Sequence, residues 1–72
     1  MYEIRAELAA TVWKLCAEVG QLVAEGDDIL ILESMKMEIP VATEVPGVLR
    51  ELFVTEGAAV SEGDLIALVD ES

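Results

Sequence analysis

Apolar and polar residues alternate over much of this chain. In "YEIRAEL" (2–8), Tyr2, Ile4, Ala6 and Leu8 share one face, and Glu3, Arg5 and Glu7 the other. "EIPVATEV" (38–45) repeats the pattern. A period of two is that of a strand with one buried face. "TVWKLC" (11–16), "DILILE" (28–33), "VLRELFV" (48–54) and "DLIALVD" (64–70) are further short runs rich in apolar and β-branched residues. Glu-Gly-Asp at 25–27 and 62–64, and Pro46-Gly47, supply turn chemistry between the runs. Glycines and β-branched residues interrupt every candidate helix. The pattern predicts an all-β domain, a small barrel or sandwich of short strands. Pro40, inside an otherwise good strand, predicts a sheet edge or a bulge.

The chain also repeats itself. "VAEGDDI" (23–29) and "VSEGDLI" (60–66) share Val, Glu, Gly, Asp and Ile at an offset of 37 residues. The same offset matches Tyr2, Ile4, Ala6 and Leu8 with Ile39, Val41, Thr43 and Val45. Val12 and Leu15 match Leu49 and Leu52, and Ile31 and Leu32 match Leu68 and Val69. Each half is too short to bury a core alone. Residues 1–72 therefore read as one pseudo-symmetric domain, with Lys36 and Met37 at the join.

The join poses a geometric problem. Ile29, Ile31, Met35, Met37, Ile39 and Val41 keep a strand period across residues 29–41. A continuous strand of that length would span about 43 Å. A compact chain of this size is roughly 29 Å across. The strand must reverse, and the middle of the run is "ESMKMEIP" (33–40). The reversal is expected around Ser34 to Met37. Lys36 then sits at a hairpin tip between two partly exposed methionines, Met35 and Met37, with Glu33 and Glu38 beyond them.

Charge narrows the possible functions. The chain has 72 residues, with 15 acidic and 4 basic ones, no histidine and a net charge of −11. Nucleic acids and anionic membranes call for basic patches, so neither is an expected partner. Basic protein surfaces are. The absence of histidine removes the commonest general base and metal ligand. No apolar run approaches the ~20 residues of a membrane span. A single cysteine, Cys16, cannot form an internal disulfide and fits a reducing, cytoplasmic setting. Lys36 is one of only two lysines, and nothing near it in sequence could serve as its base. An accessible primary amine of this kind suits a substrate of another enzyme, not a catalyst.

"ESMKMEIP" flanked by the two "V.EGD" blocks resembles the biotinyl/lipoyl attachment family over essentially the whole chain. It is most similar to small biotin carriers, like the carrier segment of biotin carboxyl carrier proteins. The resemblance implies a flattened β-barrel, a barrel-sandwich hybrid of two pseudo-symmetric four-stranded halves. It implies biotin attached to the side-chain nitrogen of Lys36, recognition through Met35 and Met37, and Glu33, Ser34 and Glu38 as the flanking hairpin residues. Tight turns are expected at Gly20, Gly26, Gly47, Gly57 and Gly63. Two positions depart from the family's habit. Ser34 stands where alanine is common, and Ala10 where glycine often stands. The chain is also too short for the protruding thumb that some members insert.

The implied function is that of a carrier, not an enzyme. A biotin protein ligase would load it. It would then carry a carboxyl group between biotin carboxylase and carboxyltransferase components, as a monomer. Lipoate on Lys36 is the alternative cargo, since lipoyl members share the fold, and an unmodified interaction module is a third reading. Other residues read as structural. Asp27-Asp28 suits a turn better than a metal site, because the calcium-loop pattern is absent. Cys16 is expected to be buried. Trp13 is expected to pack against the barrel. Ser34 and Ser61 have no histidine to activate them.

Overall fold

The computed structural model describes residues 1–71. The alternating runs become eight strands: β1 (Tyr2–Arg5), β2 (Ala10–Leu15), β3 (Leu22–Val23), β4 (Asp28–Ser34), β5 (Met37–Ala42), β6 (Gly47–Leu52), β7 (Ala59–Val60) and β8 (Leu65–Glu71). The 37-residue offset maps β2, β3 and β4 residue for residue onto β6, β7 and β8. Two sheets form, ordered β1-β8-β6-β3 and β5-β4-β2-β7, and every pairing within them is antiparallel. This is the flattened barrel of two pseudo-symmetric halves. Each sheet takes two strands from each half, so neither half contains a complete sheet.

The loops obey the same symmetry. The Gly26 amide donates to the Thr43 carbonyl, and the Gly63 amide donates to that of Ala6. The Gly20 amide donates to the Leu49 carbonyl, and the Gly57 amide to that of Val12. Each half thus closes its turns on the other. Asp27 and Asp64 are the matching turn carboxylates, accepting the amides of Ala24 and Ser61 at 2.9 and 2.8 Å. That role explains the acidic residue after each Glu-Gly without invoking a metal.

The core lies between the sheets. Ile29, Leu30, Leu32, Leu49, Ile66, Ala67 and Val69 are fully enclosed. Ile29 and Leu30 are consecutive, yet both are buried. A strict pleat would expose one of them. The β4–β5 register shifts between Asp28 and Leu30, and that irregularity lets both side chains face inward while the strand bends. The β1–β8 pairing shifts between Ile4 and Arg5, where Ile66 and Ala67 are buried in the same way.

Three expectations need correction. Gly47 is not a turn glycine; it is the buried first residue of β6. A Cβ there would run into the backbone carbonyl of Asp70 on β8. Cys16 is exposed, because the chain leaves β2 after Leu15; the backbone amides of Cys16 and Ala17 still donate to the Ile29 carbonyl, but the Cys16 side chain points away. Trp13 is 47% exposed. It follows the buried Val12, so the strand's alternation sets it on the outer face, and the β2–β4 register shift between Val12 and Lys14 leaves it without a partner on β4. Pro40 lies on β5, an edge strand. Hydrogen-bonded and non-bonded pairs alternate from Ser34↔Met37 inward, which makes Ile31↔Pro40 a non-bonded pair. The missing N–H of Pro40 therefore faces the free edge.

Candidate functional site

The hairpin of β4 and β5 is built from the core outward. Leu32 pairs with Ile39 and anchors it. Glu33 and Glu38 pair directly across the ladder above, and Ser34 pairs with Met37 at the end. Met35 and Lys36 alone form the turn. Their φ angles are 53° and 66°. Positive φ at both central residues is the requirement of a type I′ hairpin turn, which normally favours Asn-Gly. The left-handed conformation costs about 1–2 kcal/mol for each residue with a side chain. The twist match of this turn to the flanking strands, and the ladder beneath, hold it in place.

The outcome for the sequence-derived residues is direct. Met35 is 91% and Met37 64% exposed, so neither is core filler. Lys36 is exposed, as are Glu33 and Glu38, and Ser34 is half-buried. The salt bridges among the described residues are Arg5–Glu3 and Arg50–Asp70, so Lys36 is in neither. The hairpin therefore holds up an unengaged primary amine between two thioether side chains, on a strand pair rooted in the core. No three His, Cys, Asp or Glu side chains cluster as metal ligands among the described residues. An amine in this setting can accept an acyl group as an amide once another catalyst supplies an activated carboxyl.

Sequence reasoning missed two features nearby. The Tyr2 hydroxyl donates to the Glu44 carboxylate at 3.1 Å, across the seam between the edge strands β1 and β5. Desolvation, and then that hydrogen bond, raise the Tyr2 phenol above its usual range. Thr43 is buried, and its hydroxyl donates to the Val45 carbonyl and accepts the Val45 amide, bracing the loop after β5. The alternation showed that Tyr2 and Thr43 face inward. It carried no signal for their polar partners.

The strained turn gives a prediction. Met35→Asn places a residue that tolerates the left-handed region at the first turn position. Stability is expected to rise by about 0.5–1 kcal/mol, a gain of roughly 4 °C in Tm for a domain of this size. Thermal unfolding of the two proteins checks it.

Comparison with known proteins agrees with this geometry. A family model described as "Biotin-requiring enzyme", of the biotin/lipoyl type, matches residues 4–69. The chain is 44% identical over 68 residues to a biotinylated protein TB7.3 homolog of Mycolicibacterium smegmatis, covering 94% of this chain and 96% of that protein. It is 35% identical over 69 residues to a biotin/lipoyl attachment protein of Bacillus subtilis, covering 96% and 94%. Among solved structures, a single-chain, multi-domain long-chain acyl-CoA carboxylase superposes with a TM-score of 0.92 at 30% identity. That match covers 99% of this chain but 7% of the carboxylase. The duplicated fold, the exposed lysine hairpin and these likenesses agree, and the chain belongs to the biotin/lipoyl attachment family.

Proposed function

We propose that this chain is a biotin carrier, modified on Lys36 by a biotin protein ligase, and that residues 1–72 act as one carrier domain. The observation that carries the reading is the Met-Lys-Met tip, with both thioethers exposed beside the amine. Biotin would join through an amide between its carboxyl carbon and the Lys36 Nζ. The residues fit that linkage, because the amine is exposed and belongs to neither salt bridge. Once attached, the ureido ring supplies a nitrogen that can carry a carboxyl group. Met35 and Met37 present flexible apolar surface to the proteins that must handle it. Glu33, Ser34 and Glu38 complete the surface those proteins meet. The likeness to a carboxylase segment supports biotin carboxylase and carboxyltransferase components as the partners. The carrier itself is read as a non-catalytic monomer.

Lipoate on the same lysine is the second reading, because one close relative is named for both attachments. The intact mass of the natively expressed protein distinguishes the cases. A mass increase of one biotinyl group, lost on Lys36→Ala, supports the proposal. A lipoyl increment or an unmodified chain in biotin-replete cells refutes it.

A further inference from the structure

A groove of about 600 Å³ runs along the seam where the edge strands β1 and β5 approach each other. Leu8, Ile39 and Val41 give it an apolar lining over a floor of the buried Ile4 and Leu32, with Glu7 and Glu44 among the polar residues that also line it. β1 and β5 are pseudo-symmetric mates, so the groove should have two equivalent ends. It does not. At one end Tyr2 closes onto Glu44. At the other, the offset of 37 puts Ile39 in place of Tyr2 and Glu7 in place of Glu44. Isoleucine has no hydroxyl with which to close.

The open end faces the hairpin. Ile39 is two residues from Met37 on the same face of β5, and three from Lys36. Three extended residues cover about 10 Å. A lysine side chain extended by an acyl tether is longer than that. A tethered group also experiences an effective concentration on the order of millimolar, so even a site of millimolar affinity is half filled. The groove does not suit an added β-strand, because Pro40 leaves a gap in the donors along the free edge of β5.

We propose that the open end of the β1–β5 groove is a resting site for the ring carried on Lys36, resting on the biotin reading above. The thioether face of the bicyclic ring packs against Ile39 and Leu8, the two half-buried apolar side chains at this end. The ureido N–H groups donate to the Glu7 carboxylate, which is exposed at this end. In that state the ring is withdrawn from external captors.

Internal symmetry supplies the test. Ile39→Tyr copies Tyr2 into the open end, where its hydroxyl can close on Glu7 as Tyr2 closes on Glu44. The fold already accommodates tyrosine at the mate position. Both proteins are loaded with biotin at Lys36, confirmed by mass, and labelled in their methyl groups. Wild type is expected to show nuclear Overhauser contacts from ring protons to the Ile39 and Leu8 methyls. Ile39→Tyr is expected to lack ring contacts to Leu8 and to be captured by streptavidin about twofold faster, as release from a half-filled site requires. Absent contacts in the loaded wild type, or equal capture rates for the two proteins, would overturn the resting site. Failure of the wild type to load would instead count against the biotin assignment, and with it the proposal.

Discussion

Gly47→Val is expected to be the most destabilising single change outside the apolar core. The reason lies between strands and not in a turn. Gly47 pairs with Glu71 and Val23, and a Cβ on it would meet the carbonyl oxygen and carbon of Asp70 and the Val69 side chain. Two of those atoms are backbone, held by the β6–β8 ladder, and cannot rotate away. Relief requires β6 to move off β8, which also strips Leu49 and Val69 of their packing. Overpacking of this kind costs about 3 kcal/mol. The whole domain has roughly 4–11 kcal/mol at 0.05–0.15 kcal/mol per residue, so the loss is a large share. Gly26→Ala is the comparison. Gly26 has φ +90° but nothing within 4 Å of a Cβ, so it pays only the left-handed strain of about 1–2 kcal/mol. Denaturant titration of both variants checks the order, and a Gly47→Val protein as stable as Gly26→Ala would contradict it.

Lys36→Arg is expected to abolish loading completely while leaving the fold intact. Arginine keeps the charge and the length but cannot form a stable amide under a ligase that reads a primary amine. The residue is exposed and in neither salt bridge, so stability should change by within about 0.5 kcal/mol. Lys14, the other lysine, is exposed on β2 and offers a competing amine. It lies within a paired strand and not at a tip, so it should remain unmodified. Co-expression with a biotin protein ligase followed by peptide mass mapping reads the result. Biotin anywhere on the Lys36→Arg chain would defeat the assignment.

Legibility of the structure from the sequence followed the physics of each signal. Strands with a long alternating or apolar pattern were readable, because burial of one face leaves a period in the sequence. β3 and β7 were not read as separate strands, because two residues each cannot show a period. The hairpin was located by elimination, since a strand through residues 29–41 would outrun the molecule. Its turn type was hidden, because Met35 and Lys36 are not residues that announce positive φ. Gly47 was misassigned for a related reason. Glycine marks both tight turns and close backbone approaches, and only the position of β8 tells them apart. Cys16 was placed inward, and Trp13 against the barrel, by their apolar character; a strand end leaves Cys16 exposed and Trp13 follows the buried Val12 on the outward side of β2. The alternating groove residues were visible one by one. Their convergence across a pseudo-twofold seam is a tertiary fact that neither strand encodes alone.

What Lys36 carries decides the function proposed for the chain. On the biotin reading proposed above, the discriminating positions are 35 and 37, where methionine presents an exposed apolar thioether and where the family resemblance leads one to expect Asp before the lysine and Ala after it in lipoyl members. A ligase selecting against a carboxylate at position 35 discriminates by repulsion as well as fit. The most direct measurement is a competition on the unmodified protein. A biotin ligase and a lipoate ligase, each with its cofactor, are offered together at limiting enzyme, and the product is weighed. Predominant biotinylation at Lys36 is the predicted result, and predominant lipoylation at the same lysine would contradict it.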